Sequence, residues 1–90
     1  MIVEKDIVVV NKLGLHARAA AKLVKVCSGY DSSVELKKGQ ESVDAKSIMG
    51  VLMLAASQGS QLKLVTDGKD AQKAADEIVA LFDDCFGEGE

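Results

Sequence analysis

Aromatic side chains are nearly missing from this chain, which holds two phenylalanines, one tyrosine and no tryptophan. Leu, Ile, Val, Ala and Met must therefore fill the core, and no platform exists on which nucleic-acid bases could stack. A net charge of -3 does not supply the positive field that displaces counterions from phosphates, so nucleic acid is not an expected partner. Long apolar runs are also lacking, and the first ten residues do not show the charged-then-apolar layout of a signal peptide. Neither membrane insertion nor export is expected, and a cytoplasmic location is the simplest reading. Cys27 and Cys85 stand too far apart for a CxxC redox or zinc pair, and with a single histidine a four-ligand metal site would need carboxylates at unfavourable spacings. No metal or cofactor is expected, and both cysteines read as small buried hydrophobes on helix faces. There is no proline, no internal repeat and nothing that reads as a linker.

What is present is the composition of a soluble globular chain, 48% hydrophobic and 28% charged. Ninety residues suit one domain over 1–90, with the terminal GEGE (87–90) as a loose tail. DIVVV (6–10) reads as a buried strand. From His16 onward Ala20, Leu23, Val24 and Cys27 recur at helical spacing, while Arg18, Lys22 and Lys25 form a basic stripe on another face. SGYDSS ends that helix. SVELKKGQESVDA alternates in period two on both sides of KKG, a hairpin with Val34, Leu36 and Val43 facing inward. KSIMGVLMLAAS is a short apolar segment whose start either Asp44 or Ser47 could cap. QLKLVT (61–66) makes a fourth strand, and a last helix carries Ala71, Ala74, Ala75, Ile78, Phe82 and Cys85 on one face. The order βαββαβα buries every apolar stripe at once if three helices cover one face of a mostly antiparallel four-stranded sheet, an α+β fold.

His16 lies where a glycine-bearing turn feeds an alanine-rich helix. The first turn of a helix leaves N–H groups without partners, and with the macrodipole they favour negative charge and disfavour imidazolium. Neutral imidazole has a nucleophilic nitrogen. A phosphoryl group placed on it would bring oxygens to those N–H groups and to the planar fork of Arg18. Gly14 lets the chain turn sharply and leaves the ring open. A solvated capping histidine beside an ordinary wet basic face accounts for the same residues, so the chemistry of the segment leaves both readings open.

The segment GLHARAAA, followed about thirty residues later by KSIMGVLMLAASQG in the same element order, resembles the HPr family, the histidine-containing phosphocarriers of the phosphoenolpyruvate-dependent phosphotransferase system. The resemblance spans about residues 2 to 86. It implies an open-faced β-sandwich of sheet order 1-4-2-3. It also implies that His16 is phosphorylated at Nδ1 by enzyme I and discharged to enzyme IIA domains, and that Arg18 lies beside the phosphoryl group. Ser47 matches the serine that HPr kinase/phosphorylase modifies in many Gram-positive and some Gram-negative bacteria. Two positions depart from the pattern: Ala19 stands where many members carry proline, and Leu13 where a polar residue is common. Alanine keeps the first helical turn, whereas Leu13 removes a phosphate or partner contact.

A docking surface is expected over Ala17, Ala21, Lys22 and Lys25 and over Ile48, Met49 and Leu52. The last three cannot all point inward if Val51, Leu54 and Ala55 do. The chain is expected to be a monomeric, stoichiometric relay rather than a turnover enzyme. The alternatives are a mainly regulatory member, nitrogen-related or switched through Ser47, and a small-ligand-binding or structural α/β module with an incidental histidine.

Overall fold

The computed structural model describes residues 1–88. Its elements run β1 (Ile2–Val8), α1 (Ala17–Ser28), β2 (Ser33–Lys38), β3 (Glu41–Asp44), α2 (Ile48–Met53), β4 (Gln61–Asp67), α3 (Ala71–Asp83) and a 3-10 turn over Cys85–Gly87. The four strands form one sheet in the order β1-β4-β2-β3, antiparallel throughout. Ile2 pairs with Asp67 and Val8 with Gln61, while on the other side of β4 Leu64 pairs with Leu36. α3 packs on β1 and β4, and α1 packs against both α2 and α3. Among the described residues no helix is long and apolar enough to cross a membrane.

Each layer contributes one apolar stripe to the core. Val34, Leu36, Leu62 and Leu64 come from the inner face of the sheet, Leu23 and Cys27 from α1, Val51 from α2, and Ile78 and Phe82 from α3. Burying each large side chain of this set stabilises by roughly 1.5–3 kcal/mol. Phe82 and Phe86 meet edge to face with ring centroids 4.8 Å apart.

Four expectations need correction. The first strand covers Ile2–Val8 rather than 6–10, because its ladder with β4 ends at the Val8–Gln61 pair. Ala55 is exposed, not inward: α2 ends at Met53, Ala55 takes φ 49, and the reversal carries Ala56 into the core instead. Cys85 is only half-buried, because α3 ends at Asp83 and the turn that follows gives Cys85 and Phe86 φ values of 52 and 55. Phe86 takes the buried place that helical spacing assigns to Cys85. The loose tail is corrected at Gly87 and Glu88, whose backbone N–H groups donate to Asp84 and Cys85 carbonyls. Residues 89 and 90 of that expected tail lie outside the described residues.

The start of α2, which either Asp44 or Ser47 could cap, belongs to Ser47: its Oγ accepts the Gly50 N–H at 3.2 Å. Asp44 instead accepts the Lys46 N–H, one step earlier in the same turn. Asp70 is the N-cap residue of α3, its carbonyl accepting the Ala74 N–H, but its side chain makes no cap bond: the carboxylate accepts from the backbone of Asp31 and from both the backbone and the hydroxyl of Ser32. These bonds pin the turn after α1 to the start of α3. The Ser32 hydroxyl first, then the Asp31 N–H, hold the Asp70 carboxyl below its ordinary range against a small opposing effect of burial.

Candidate functional site

The segment from Asn11 to His16 is a tight loop with its own internal bonds. Gly14 N–H donates to the Asn11 carbonyl at 3.2 Å, and the buried Asn11 side chain returns a bond from Nδ2 to the Gly14 carbonyl at 2.7 Å. Gly14 sits at φ +67, in the left-handed region that glycine enters without cost. Leu15 then buries its side chain and donates its N–H to the Ala56 carbonyl at 2.8 Å, fastening the loop to the chain leaving α2. These bonds deliver His16 to the mouth of α1 in an extended conformation, φ -75 and ψ 178.

His16 is the N-cap of α1. Its carbonyl accepts the Ala20 N–H at 2.8 Å, the first bond of the helix, and its ring Nδ1 accepts the Arg18 N–H at 3.3 Å. The nitrogen with the available lone pair thus faces the positive end of the macrodipole and the N–H groups of the first turn. On the other side of the ring, Nε2 lies 2.5 Å from Oε2 of Glu88. The second oxygen of Glu88 accepts from Asn11 Nδ2 at 3.2 Å. Burial pushes the Glu88 carboxyl up, but the bonds from His16 and Asn11, with Lys22 nearby, outweigh it and hold the group below its ordinary range.

Arg18 lines an open depression of about 340 Å³ with Lys12, Leu13, Lys22, Gly87 and Glu88. Lys22 also donates from Nζ to the Phe86 carbonyl at 2.6 Å, so one member of the basic stripe fastens the 3-10 turn to α1. Three cations around one carboxylate, an open ring nitrogen and a helix mouth together make a place where a phosphoryl group would find donors on several sides.

The structure therefore brings His16 and Arg18 together on one helix turn. Ala17, Ala21 and Lys25 are exposed along α1, and Ala19 is buried in its first turn. On α2, Ile48 and Met49 are exposed, Leu52 is half-buried, and Val51 alone of the helix is fully inside. Met53, 71% exposed, and Leu13, 69% exposed, are further exposed apolar side chains outside the expected set. Sequence reasoning missed Asn11 and Glu88. Asn11 is a polar residue buried straight after a run of valines, which is a usable signal; nothing in the acidic tail sets Glu88 apart.

A family described as "PTS HPr component phosphorylation site" matches residues 3–84. This chain belongs to the HPr family. The phosphocarrier protein HPr of Cupriavidus necator is 51% identical over 89 residues, covering 99% of this chain and 100% of that protein. HPr of Pseudomonas aeruginosa is 49% identical over 86 residues, covering 94% and 96%. The crystal structure of HPr-C-His from Thermoanaerobacter tengcongensis superposes with a TM-score of 0.93 at 42% identity, covering 96% of this chain and 97% of that one. The open-faced β-sandwich of order 1-4-2-3 is thus the HPr fold, and HPr proteins are the phosphocarriers of the phosphotransferase system. In this HPr-family chain Leu13 leaves the rim of the depression apolar.

Proposed function

We propose that this chain accepts a phosphoryl group, derived from phosphoenolpyruvate, from phosphorylated enzyme I on Nδ1 of His16 and passes it to enzyme IIA domains for sugar uptake. The observation that carries this reading is the position of Nδ1, at the mouth of α1 and 3.3 Å from the Arg18 N–H. When phosphorus bonds to Nδ1, its oxygens replace the ring as acceptors for the first-turn N–H groups, and the Arg18 guanidinium binds them in its planar fork. The exposed Ile48 and Met49, with Ala17, Ala21 and the half-buried Leu52, form the apolar part of a docking surface, and Lys22 and Lys25 its basic part. The protein is a stoichiometric carrier working in the cytoplasm, since each partner completes the catalytic surroundings.

A regulatory role is favoured by a separate observation. Ser47 is exposed at the start of α2 and directly adjoins Ile48 and Met49, so a phosphate placed there by an HPr kinase/phosphorylase would lie on the docking surface itself.

Incubation of the protein with enzyme I and phosphoenolpyruvate should add one acid-labile, alkali-stable phosphoryl group, and His16→Ala should gain none. Label persisting in that variant overturns the assignment.

A further inference from the structure

The bonds around His16 are not explained by a nucleophile and an arginine alone. Nδ1 accepts a backbone N–H and therefore holds a lone pair. Nε2 lies 2.5 Å from an ionised carboxylate, which can only accept, and therefore holds the proton. That carboxylate is itself fixed: one oxygen is on His16 and the other on Asn11, whose side chain is buried and whose Nδ2 also braces the Gly14 carbonyl. Lys22 anchors the turn that delivers Glu88. The loop before α1, α1 itself and the sequence-distant C-terminal turn thus converge on one ring nitrogen that does not receive phosphate.

From this convergence, and resting on the phosphocarrier reading above, we infer that Glu88, held by Asn11, is a positioning residue for phosphotransfer: it grips His16 through Nε2–H, presents the Nδ1 lone pair at the mouth of α1, and matches the charge the ring acquires. In the accepting step the Nδ1 lone pair forms the N–P bond while the bond between phosphorus and the donor breaks, its electron pair leaving with the donor. Nε2 keeps its proton, so the ring becomes a cation. Arg18, Lys22 and Lys12 cannot stabilise that cation; they serve the phosphoryl oxygens. Glu88 is the carboxylate in contact with the ring. In the discharging step the N–P electron pair returns to Nδ1 and the ring is neutral again. A carboxylate that orients an imidazole and steadies its cationic form acts in this way in hydrolase triads.

The test uses the full chain with Glu88→Gln, which keeps the shape and removes the charge, and Glu88→Ala, which removes both. Two donors are used, phosphorylated enzyme I and potassium phosphoramidate, a small molecule that phosphorylates histidine without a protein partner. Proton–nitrogen NMR of unphosphorylated wild type should show a downfield, slowly exchanging Nε2–H, which Glu88→Ala loses at unchanged melting temperature. Both variants should be labelled about tenfold more slowly by either donor, with Glu88→Asp restoring part of the rate. Equal labelling rates in wild type and Glu88→Ala overturn the inference even if enzyme I labels both. Loss of the Nε2–H signal without a change in rate also overturns it, because Glu88 then only packs. Glu88-dependent labelling by phosphoramidate, with none from enzyme I, upholds the inference while sinking the phosphocarrier reading.

Discussion

A Cβ placed on Gly14 would lie 2.5 Å from the carbonyl oxygen of Ala56, the same oxygen that accepts the Leu15 N–H. The loop that presents His16 and the chain that leaves α2 are therefore in backbone contact, and the contact exists only because position 14 has no side chain. Gly14→Ala should push the two segments apart and also force alanine to φ +67. The combined clash and backbone strain should cost about 3 kcal/mol. Urea unfolding should show this as a lower midpoint at constant slope. Phosphoryl acceptance should fall more than stability, since His16 moves with the loop.

Arg18→Lys should fold normally, because position 18 is exposed in the helix and lysine is a comparable helix former. Transfer in both directions should slow, since an ammonium cannot replace a planar fork against phosphoryl oxygens. Unchanged rates in single-turnover transfer from enzyme I would mean the backbone N–H groups suffice.

Ser47 separates cap from charge. Ser47→Ala loses the acceptor for the Gly50 N–H and should cost about 1 kcal/mol in thermal or urea unfolding. Ser47→Asp keeps an acceptor at the cap and should leave stability nearly unchanged. Its charge beside Ile48 and Met49 should nonetheless raise the apparent KM of enzyme I about tenfold, about 1.4 kcal/mol of lost binding. Phosphorylation at the wild-type rate would remove the surface around Ser47 from the enzyme I interface.

The Asp70 carboxyl, bonded to Ser32 and Asp31, has a native pKa below its ordinary value of 3.8. Its contribution to stability is therefore present in full above that value. It wanes as the pH falls below it and is gone under the depressed native pKa. Asp70→Asn should lower the urea midpoint at pH 7, and the gap between variant and wild type should close as the solution is acidified below pH 3.8. A gap that does not narrow as the pH falls below 3.8 would show that the bonds do not depend on the charge.

Burial pushes the Cys27 thiol up to about 12, Lys46 offsetting only part of this. Cys85 is half-buried. Iodoacetamide at mildly alkaline pH should therefore modify Cys85 and spare Cys27 until the chain is unfolded, as peptide mapping can show.

Periodic elements were legible in the residues because burial writes them there. The alternation of Val34 and Leu36 and of Leu62 and Leu64, and the helical spacing of Ala74, Ile78 and Phe82, all describe faces that the structure buries. The failures cluster where the chain leaves an element. Ala55, Cys85 and Phe86 adopt positive φ without being glycine, so no residue type announces the reversal. The nearness of His16 and Arg18 was legible because one helix turn holds both, while the segment alone left the role of the pair open and only the resemblance implied it. Glu88 was not, because its meeting with His16 depends on the turn after α3, and an acidic residue in a tail has no local mark of such a contact.

The sheet order has a consequence for how the chain is made. β1, translated before β4, has β4 as its sole neighbour in the sheet, and Ile2 pairs with Asp67. β2 and β3, joined by a short turn, can pair within microseconds of emergence. β1 must wait, exposing an unpaired edge, until β4 has been synthesised and the long loop between them can close. β1 thus enters the sheet late although it is translated before β2, β3 and β4. A nascent chain halted before residue 61 carries a hairpin, two helices and an unpaired strand available for wrong pairing.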